Sequence, residues 1–343
     1  MPLRALSLVS ALLVLSAPAL ALASDEVEAW TPTQDALRAN AAGIALPQTV
    51  AGLSLSKSGE ASNGGKGIDN YAQYLSGDGA VQATLYVYLP SYADAALAAY
   101  MTDKAVMERF GTKTRRTSYG AAAAGHHPGT AIRAVYDDAA DGALTTAAAF
   151  VHAGRWIVKM RVTGPSDRRS EVLAGLDGMI ANLAFDDPAS LHAAAPVAIT
   201  PCPAGEGRDA RLTGAAPHAA DKGDITLPRD GQGGLCLRGT VETADGRYEM
   251  LQQAGVEDGA IIVPMDDTGS LLAFDPAPGQ SGYRLSMHSL GQTDFYGVYD
   301  RVPSARQIAA IIDGKDPQTA QAETSTAYAA NGEATVSAAK IQR

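Results

Sequence analysis

Aromatic and basic side chains occur at alternate positions of two strand-like segments, where they could bind a ligand together. Tyr86 and Tyr88 alternate with apolar residues along the first segment. Lys159 and Arg161 do the same along the second. Alternate residues of a strand project from one face of a sheet. If the two strands are neighbours, that face suits an anionic or aromatic ligand. We predict these four residues as ligand-binding; the alternative is an ordinary solvated sheet face.

Serine and aspartate side chains that could support hydrolysis occur in turn-like contexts. Gly279-Gln280-Ser281-Gly282 resembles the G-x-S-x-G turn of serine hydrolases, but Tyr283 replaces the last glycine and the serine precedes a predicted strand. Paired carboxylates can act as general acids and bases or bind calcium. The pair Asp266-Asp267 stands before Thr268-Gly269, where aspartate bonds to the local backbone of a turn. We therefore predict no catalytic residue.

The histidines are spread too widely in the sequence to predict a metal site. His126 and His127 form the densest group, but adjacent side chains in an extended segment diverge and no third ligand follows nearby. His152, His192, His218 and His288 are isolated, and each is most simply a surface or partly packed residue. We therefore predict no metal ligand and no cofactor.

The two cysteines, Cys202 and Cys236, are predicted to form a disulfide bond. An even number of cysteines in an exported protein favours pairing. A metal site is disfavoured, since no second cysteine pair or nearby histidine cluster completes a tetrahedron. The loop that the bond closes spans about 35 residues and is worth on the order of 3–4 kcal/mol in the chain-entropy model.

The amino-terminal residues indicate export. Arg4 precedes a short apolar stretch, Leu6–Leu15, and Ala21-Leu22-Ala23 has the small-x-small pattern that signal peptidase cleaves, which predicts a mature chain from Ser24. The apolar stretch is too short to span a bilayer. The formal net charge of −10 disfavours nucleic acid and anionic membrane surfaces as partners. We expect a periplasmic or secreted protein with no transmembrane segment in the mature chain.

Hydrophobic periodicity predicts the elements that must position these residues. Over residues 46–186 the pattern gives a strand, a helix, three strands and a second helix. Short links between consecutive strands favour antiparallel pairing. We therefore predict an α+β fold, an antiparallel sheet with two helices on one face. Residues 201–315 contain shorter strands, glycine-rich turns and a final helix capped by Ser304, which predicts a smaller β-rich domain with one terminal helix.

Shifts in composition predict the boundaries of the domains. A polar, alanine-rich segment with a short helix follows the signal peptide, and an alanine- and proline-rich linker separates the two domains. The end of the chain is rich in alanine, threonine, serine and glutamine without periodicity, which predicts disorder. The predicted divisions are a signal peptide (1–23), an N-terminal segment (24–45), an α+β sandwich domain (46–186), a linker (187–200), a β-rich domain with the disulfide (201–315) and a disordered tail (316–343).

The order of elements over residues 46–186 resembles the PsbP-like family of exported domains, which includes the extrinsic photosystem protein and its bacterial relatives. The strand Arg155-Trp156-Ile157-Val158-Lys159-Met160-Arg161, which runs into the last helix, carries the resemblance together with that order. The resemblance implies an adaptor or stability role more often than catalysis, and it identifies no functional residue.

These observations favour a non-enzymatic exported protein of the cell envelope that binds an envelope protein or a small anionic or aromatic ligand. One alternative is an envelope hydrolase whose site is assembled from residues distant in sequence. The other is a small-molecule-binding module that uses the sheet face or a cleft between the domains. A pocket with converging Asp, His or Ser side chains favours the hydrolase, an apolar cleft the small-molecule binder, and an exposed apolar patch a protein partner.

Overall fold

The computed structural model describes residues 29–203, 207–215 and 225–338. The predicted signal peptide, residues 1–23, lies outside the described residues. Of the described residues, 47% lie in strands and 16% in helices, and the strands form three sheets. The protein is therefore mostly β, and the predicted α+β class with two helices on one sheet face is wrong. Among the described residues no helix is long and apolar enough to cross a membrane.

Twenty-two strands and four helices follow one another along the described residues. Eleven strands precede residue 166: β1 (Trp30–Pro32), β2 (Ala36–Ala39), β3 (Ile44–Pro47), β4 (Thr49–Val50), β5 (Leu53–Glu60), β6 (Asp69–Ser76), β7 (Gln82–Tyr88), β8 (Arg115–Ala124), β9 (His127–Asp138), β10 (Leu144–Ala153) and β11 (Trp156–Pro165). Eleven follow it: β12 (Ala184–Phe185), β13 (Ile199–Pro201), β14 (Leu212–Gly214), β15 (Leu235–Glu242), β16 (Arg247–Gln253), β17 (Ile261–Pro264), β18 (Leu271–Pro276), β19 (Tyr283–Ser289), β20 (Gln292–Tyr299), β21 (Thr324–Tyr328) and β22 (Ala334–Ala338). The helices are α1 (Ala95–Arg109), α2 (Ala139–Gly142), α3 (Arg169–Ala181) and α4 (Ala305–Ile312).

A four-stranded sheet takes the place of the short helix that we predicted in the N-terminal segment. β1, β2 and β3 form an antiparallel meander, and β12 pairs with β3. Burial alternates along β2 and β3, with Leu37 and Leu46 pointing into the same core as α3. Alternating burial with a period of two is typical of strands, and here it outweighs the helix propensity of the alanines.

The second sheet has eight antiparallel strands in the order β4-β5-β6-β7-β11-β10-β9-β8. The hairpin of β10 and β11 turns at Gly154, whose φ of +62° is a left-handed value that glycine adopts without strain. Almost every residue of β10 is buried. The strand is therefore covered on both faces of the sheet, so other elements must pack on each face.

Helices α1 and α3 pack on opposite faces of this sheet, and not on one face as predicted. Ala147 and Ala149 of β10 share a core with Leu176 of α3. Ala148 and Phe150 of the same strand share a core with the alanines of α1 instead. Since successive residues of a strand point to opposite faces, the sheet lies between the two helices.

The third sheet has the strand order β13-β15-β16-β17-β18-β19-β20-β21-β22, and β14 pairs with the last residues of β20. β13 and β15 are parallel, and the other pairs are antiparallel. Cys202 and Cys236 form a disulfide bond with a Cα–Cα distance of 4.9 Å, which confirms the predicted pairing. Ser304 caps α4 as predicted, because its hydroxyl accepts a hydrogen bond from the amide of Gln307.

Strands β21 and β22 lie within residues 316–343, where we expected disorder. β21 pairs with β20, and β22 pairs with β21. β22 is exposed along its whole length. Backbone hydrogen bonds to β21 therefore hold β22, whereas Tyr328 of β21 and Ala330 of the turn pack against a hydrophobic core. The domain boundaries given above stay predictions.

The second and third sheets are joined by backbone contacts beside β7 and β19. Pro90 and Leu290 form an isolated antiparallel bridge. The amide of Ser91 donates to the carbonyl of Ser289 at 2.9 Å, and the amide of Gly291 donates to the carbonyl of Leu89 at 2.8 Å. The chain segment after β7 is therefore fixed to the third sheet before α1 begins.

Helix α1 lies between the second and third sheets. Its alanines contact the second sheet, whereas Leu97 joins a separate core formed by residues of the third sheet such as Leu251 and Ile262. The other face of the third sheet packs against Ile308 and Ile311 of α4. The described part of the chain thus stacks α3, a sheet, α1, a second sheet and α4.

Candidate functional site

The four residues predicted to bind a ligand lie on the neighbouring strands β7 and β11. Lys159 is the direct cross-strand partner of Tyr86, with its ammonium 5.6 Å from the centre of the tyrosine ring. Arg161 stands opposite Thr84, and Tyr88 stands opposite Ile157. The predicted juxtaposition of rings and cations therefore exists in the structure. Their role in binding a ligand stays a prediction.

A carboxylate of this same chain occupies part of that surface. Asp267, in the turn between β17 and β18, accepts a hydrogen bond from Lys159 Nζ at 2.5 Å and one from Thr102 Oγ1 at 2.6 Å. Tyr88 is buried, and its hydroxyl donates to the Asp267 carbonyl oxygen at 2.8 Å. Burial opposes ionisation of Asp267, but the Lys159 ammonium, the Thr102 hydroxyl and the charge of Arg161 together lower the pKa of that carboxyl. Tyr88 and Lys159 thus contact the third sheet.

A cluster of two histidines and one aspartate lies beside the first turn of α1. Nδ1 of His152, on β10, is 2.8 Å from Oδ2 of Asp230, and Nδ1 of His192 is 3.4 Å from the same oxygen. The two imidazole rings stack with centres 3.8 Å apart and planes 11° apart. His152 and Asp230 are buried, whereas the His192 side chain is 45% exposed. One carboxylate oxygen therefore faces two ring nitrogens at the edge of the solvent.

Backbone hydrogen bonds hold Asp230 in place. Its Oδ1 accepts from the amide of Ala95 at the start of α1 at 2.8 Å, and its amide donates to Oδ1 of Asp94 at 3.2 Å. The Asp230 carbonyl oxygen accepts from the amide of Ala195. Burial, together with the negative charge of Asp230, raises the pKa of Asp94 to about 6. Two carboxylates are thus held close together in the interior, next to His152.

A second buried histidine, His288, forms its hydrogen bonds within the described residues with hydroxyl groups. Its Nε2 lies 2.9 Å from the Ser286 hydroxyl, and its Nδ1 lies 3.2 Å from Ser91 and 3.4 Å from Thr293. Burial, with the charge of Arg284, lowers the pKa of His288 to about 3. Such a ring is a poor general base for Ser91, since an efficient base has a pKa near the working pH. We interpret this group as a structural network that orients Ser91.

A cleft of about 310 Å³ lies where the β10–β11 turn, the segment after β7 and the β21–β22 hairpin meet. The charged residues of its lining, among the residues that the structure describes, are Arg155 and Arg229. The Arg155 guanidinium lies 5.0 Å from the ring centre of Tyr328, and that of Arg229 lies 4.3 Å from the ring centre of Tyr92. Ser91 also lines the cleft. The cleft therefore combines two cations, aromatic support and a hydroxyl.

Two larger clefts flank β15 in the third sheet, with volumes of about 620 and 530 Å³. The charged residues of the larger one are Arg208, Arg238, Arg301, Glu257, Asp258 and Asp300. Arg301 is already paired with Asp300 at 3.0 Å. The lining of the larger cleft therefore has three cations and three anions and does not favour a ligand of either charge.

The residues of the histidine–aspartate cluster and of the arginine cleft are too far apart in the sequence to be predicted as sites. Asp230 lies 78 positions after its partner His152, and Arg229 lies far from Arg155 in the sequence. Local spacing carries no signal for contacts of this kind. The pairing of β10 with β11 was predictable and places Arg155 at a hairpin turn. The packing of the loop around Asp230 onto α1 was not predictable from the sequence.

No protein-family model matches the chain, and no curated protein matches it either. The resemblance to PsbP-like domains therefore stays a prediction.

Proposed function

We propose that this protein is an exported binding protein that holds a small anionic ligand in the cleft between Arg155 and Arg229. The observation that carries the proposal is that two arginines from separate chain segments line one cleft. In a chain with a formal net charge of −10, a cleft whose charged lining is two arginines stands apart from its surroundings. Arginine is the side chain best suited to carboxylate and phosphate groups.

The size and composition of the cleft support a small ligand. Its volume of about 310 Å³ lies at the lower end of the about 300–1,000 Å³ that small-molecule sites occupy. Tyr328 lines the cleft beside Arg155 and offers aromatic surface for the body of a ligand, whereas the buried Tyr92 supports Arg229 from behind. The Ser91 hydroxyl adds a hydrogen-bonding group. These features fit a compact anion with a flat apolar part.

The described surface gives less support to a protein partner. Met107, Val256 and Val336 are its exposed large hydrophobic residues, and they lie in three different parts of the chain. Single exposed apolar residues are normal, whereas a contiguous patch marks a protein-binding surface. The predicted export signal and the disulfide bond favour a periplasmic or secreted location for this binding function.

The test compares the untagged protein with the double variant R155Q/R229Q. The protein is purified from its own host, and the small molecules released on denaturation are identified by mass spectrometry. We expect an anionic compound with the wild type and none with the double variant. R115Q is the matched control, since Arg115 is an exposed arginine on β8 outside the cleft lining. The same compounds in all three preparations would contradict the proposal.

A titration gives the magnitude. Phenyl phosphate serves as the probe, because it combines a phosphate with an aromatic ring. A hydrogen bond to a charged group contributes about 1.5–3 kcal/mol, so each Arg→Gln change should weaken binding by about 10- to 100-fold. R115Q should bind like the wild type. Equal affinities of the wild type and the double variant for this probe would count against the cleft.

A further inference from the structure

We propose that His152, His192 and Asp230 form a binding site for a divalent transition-metal ion such as Zn²⁺. One ligand atom from each residue lies within 4.8 Å of the other two. A tetrahedral Zn²⁺ with ligands about 2.0–2.2 Å away separates its ligand atoms by about 3.3–3.6 Å. The distance of 3.4 Å from Asp230 Oδ2 to His192 Nδ1 lies within that range, and the distance of 2.8 Å to His152 Nδ1 is shorter than it. Because a ring nitrogen binds a metal in the plane of its ring, the half-exposed His192 ring would have to turn out of its stack with His152 to complete the site.

Both ring nitrogens of His152 face hydrogen-bond acceptors, which is consistent with a cation at one of them. Its Nδ1 faces the Asp230 carboxylate at 2.8 Å, and its Nε2 faces the carbonyl oxygen of Gly154 at 3.1 Å. Both partners are hydrogen-bond acceptors. A neutral imidazole carries one N–H, so it can satisfy only one of them. The second contact needs either another proton on the ring or a cation between Nδ1 and the carboxylate.

The surrounding groups have the arrangement of a metal centre. A histidine that binds a metal commonly donates its other ring N–H to a backbone carbonyl, and Gly154 supplies that acceptor. Oδ1 of Asp230 is held by the amide of Ala95, which leaves Oδ2 directed at both histidines. Asp94 adds a second carboxylate close to Asp230. Asp230 is thus positioned as a ligand between the two histidines.

The ligand set selects the class of ion. Two imidazole nitrogens and one carboxylate oxygen suit Zn²⁺ and its neighbours in the first transition row, whereas Ca²⁺ and Mg²⁺ prefer oxygen ligands alone. Three protein ligands leave at least one coordination position for water or a further ligand. The His192 side chain is 45% exposed, which gives an ion a path from the solvent. The site therefore belongs to the open type and not to the closed structural type.

The test is a calorimetric titration of the untagged, chelator-treated protein with Zn²⁺ alone. We expect one ion per chain for the wild type. Loss of a group that only orients a metal ligand lowers metal affinity by about 10- to 100-fold, so H192Q, which removes a direct ligand, should lose at least that much affinity for zinc. Because His192 is half exposed, this variant should keep its thermal stability without zinc. H126Q is the matched control: His126 is also exposed and lies outside the cluster. Mg²⁺ should give no titration at that site.

An X-ray absorption measurement on the zinc-loaded wild type identifies the ligands without any substitution. Two imidazole rings in the first coordination shell would support the proposal. No zinc binding by the wild type, equal affinity in H192Q, or a shell without two imidazoles would overturn it. The cluster would then be a hydrogen-bonded histidine–aspartate group with a structural role.

Discussion

Removing the carboxylate of Asp267 should destabilise the protein, because it leaves the ammonium of Lys159 buried without its anion. The side chains of Lys159 and Asp267 are 13% and 24% exposed. Removing one partner of a buried ion pair costs about 3–5 kcal/mol, and the residual exposure places this pair near the lower end. Thr102 also loses its hydrogen-bond acceptor, which adds about 1 kcal/mol. We expect D267A to lower the free energy of unfolding by about 3–4 kcal/mol.

A double-mutant cycle separates the charge from the packing. Methionine in place of Lys159 keeps the apolar stem and removes the charge, so K159M/D267A should recover most of the loss and lie within about 1–2 kcal/mol of the wild type. Urea unfolding of the four proteins at constant pH measures each free energy. A double variant no more stable than D267A, or a loss below about 1 kcal/mol in D267A, would refute the reasoning. The result also tells whether Lys159 is committed to Asp267 or available to a ligand.

Three further predictions concern other parts of the structure. Burial and the charge of Arg284 lower the pKa of His288 to about 3, whereas this histidine binds a proton near pH 6.5 in the unfolded chain. The free energy of unfolding of the wild type should therefore fall between pH 6.5 and pH 3, by up to about 1.4 kcal/mol per pH unit more than that of H288Q. Denaturation of both proteins at pH 5.5 and 4.5 measures this difference. Reduction of the Cys202–Cys236 bond should lower the urea midpoint by the equivalent of about 2–4 kcal/mol. G231A should lose about 2–4 kcal/mol in the same assay, because φ is +73° and the added Cβ would lie 2.0 Å from a backbone oxygen.

Each of these predictions has its own contradicting result. Parallel pH profiles for the wild type and H288Q would mean that the folded ring titrates normally. For the disulfide, C202S/C236S is the control, since it should match the reduced wild type; an unchanged midpoint in both would mean that the cross-link adds no stability. G255A has a similar positive φ with open space around the added Cβ, so a loss in G255A equal to that in G231A would show that the contact with the backbone oxygen is unimportant.

The sequence was most informative where apolar residues alternate clearly. The hairpin of β10 and β11, the capped helix α4 and the disulfide followed from local patterns. The placement of the two helices did not, because Ala147 to Ala149 form an unbroken alanine run that is buried on both sides. Alanine occurs on either face of a sheet and in both helices and strands. A run of alanines therefore gives no periodicity from which the burial of both faces could be predicted.

The ends of the chain were misjudged for a related reason. Residues 30–47 have a high alanine content but form strands, because Leu37 and Leu46 are buried in a shared core. β22 buries nothing and exists through its pairing with β21. The candidate site shares this dependence on distant contacts. Arg155 follows from a predicted turn, but its proximity to Arg229 depends on how the third sheet docks.

The position of α1 has a consequence for how the molecule is assembled. Because the helix buries one side against the second sheet and Leu97 against the third, neither sheet can be completed alone. During synthesis the partner strands for Leu97 emerge more than a hundred residues after the helix itself. Folding should therefore finish late, and because both sheets pack on this helix, a calorimetric scan should give one transition in place of two.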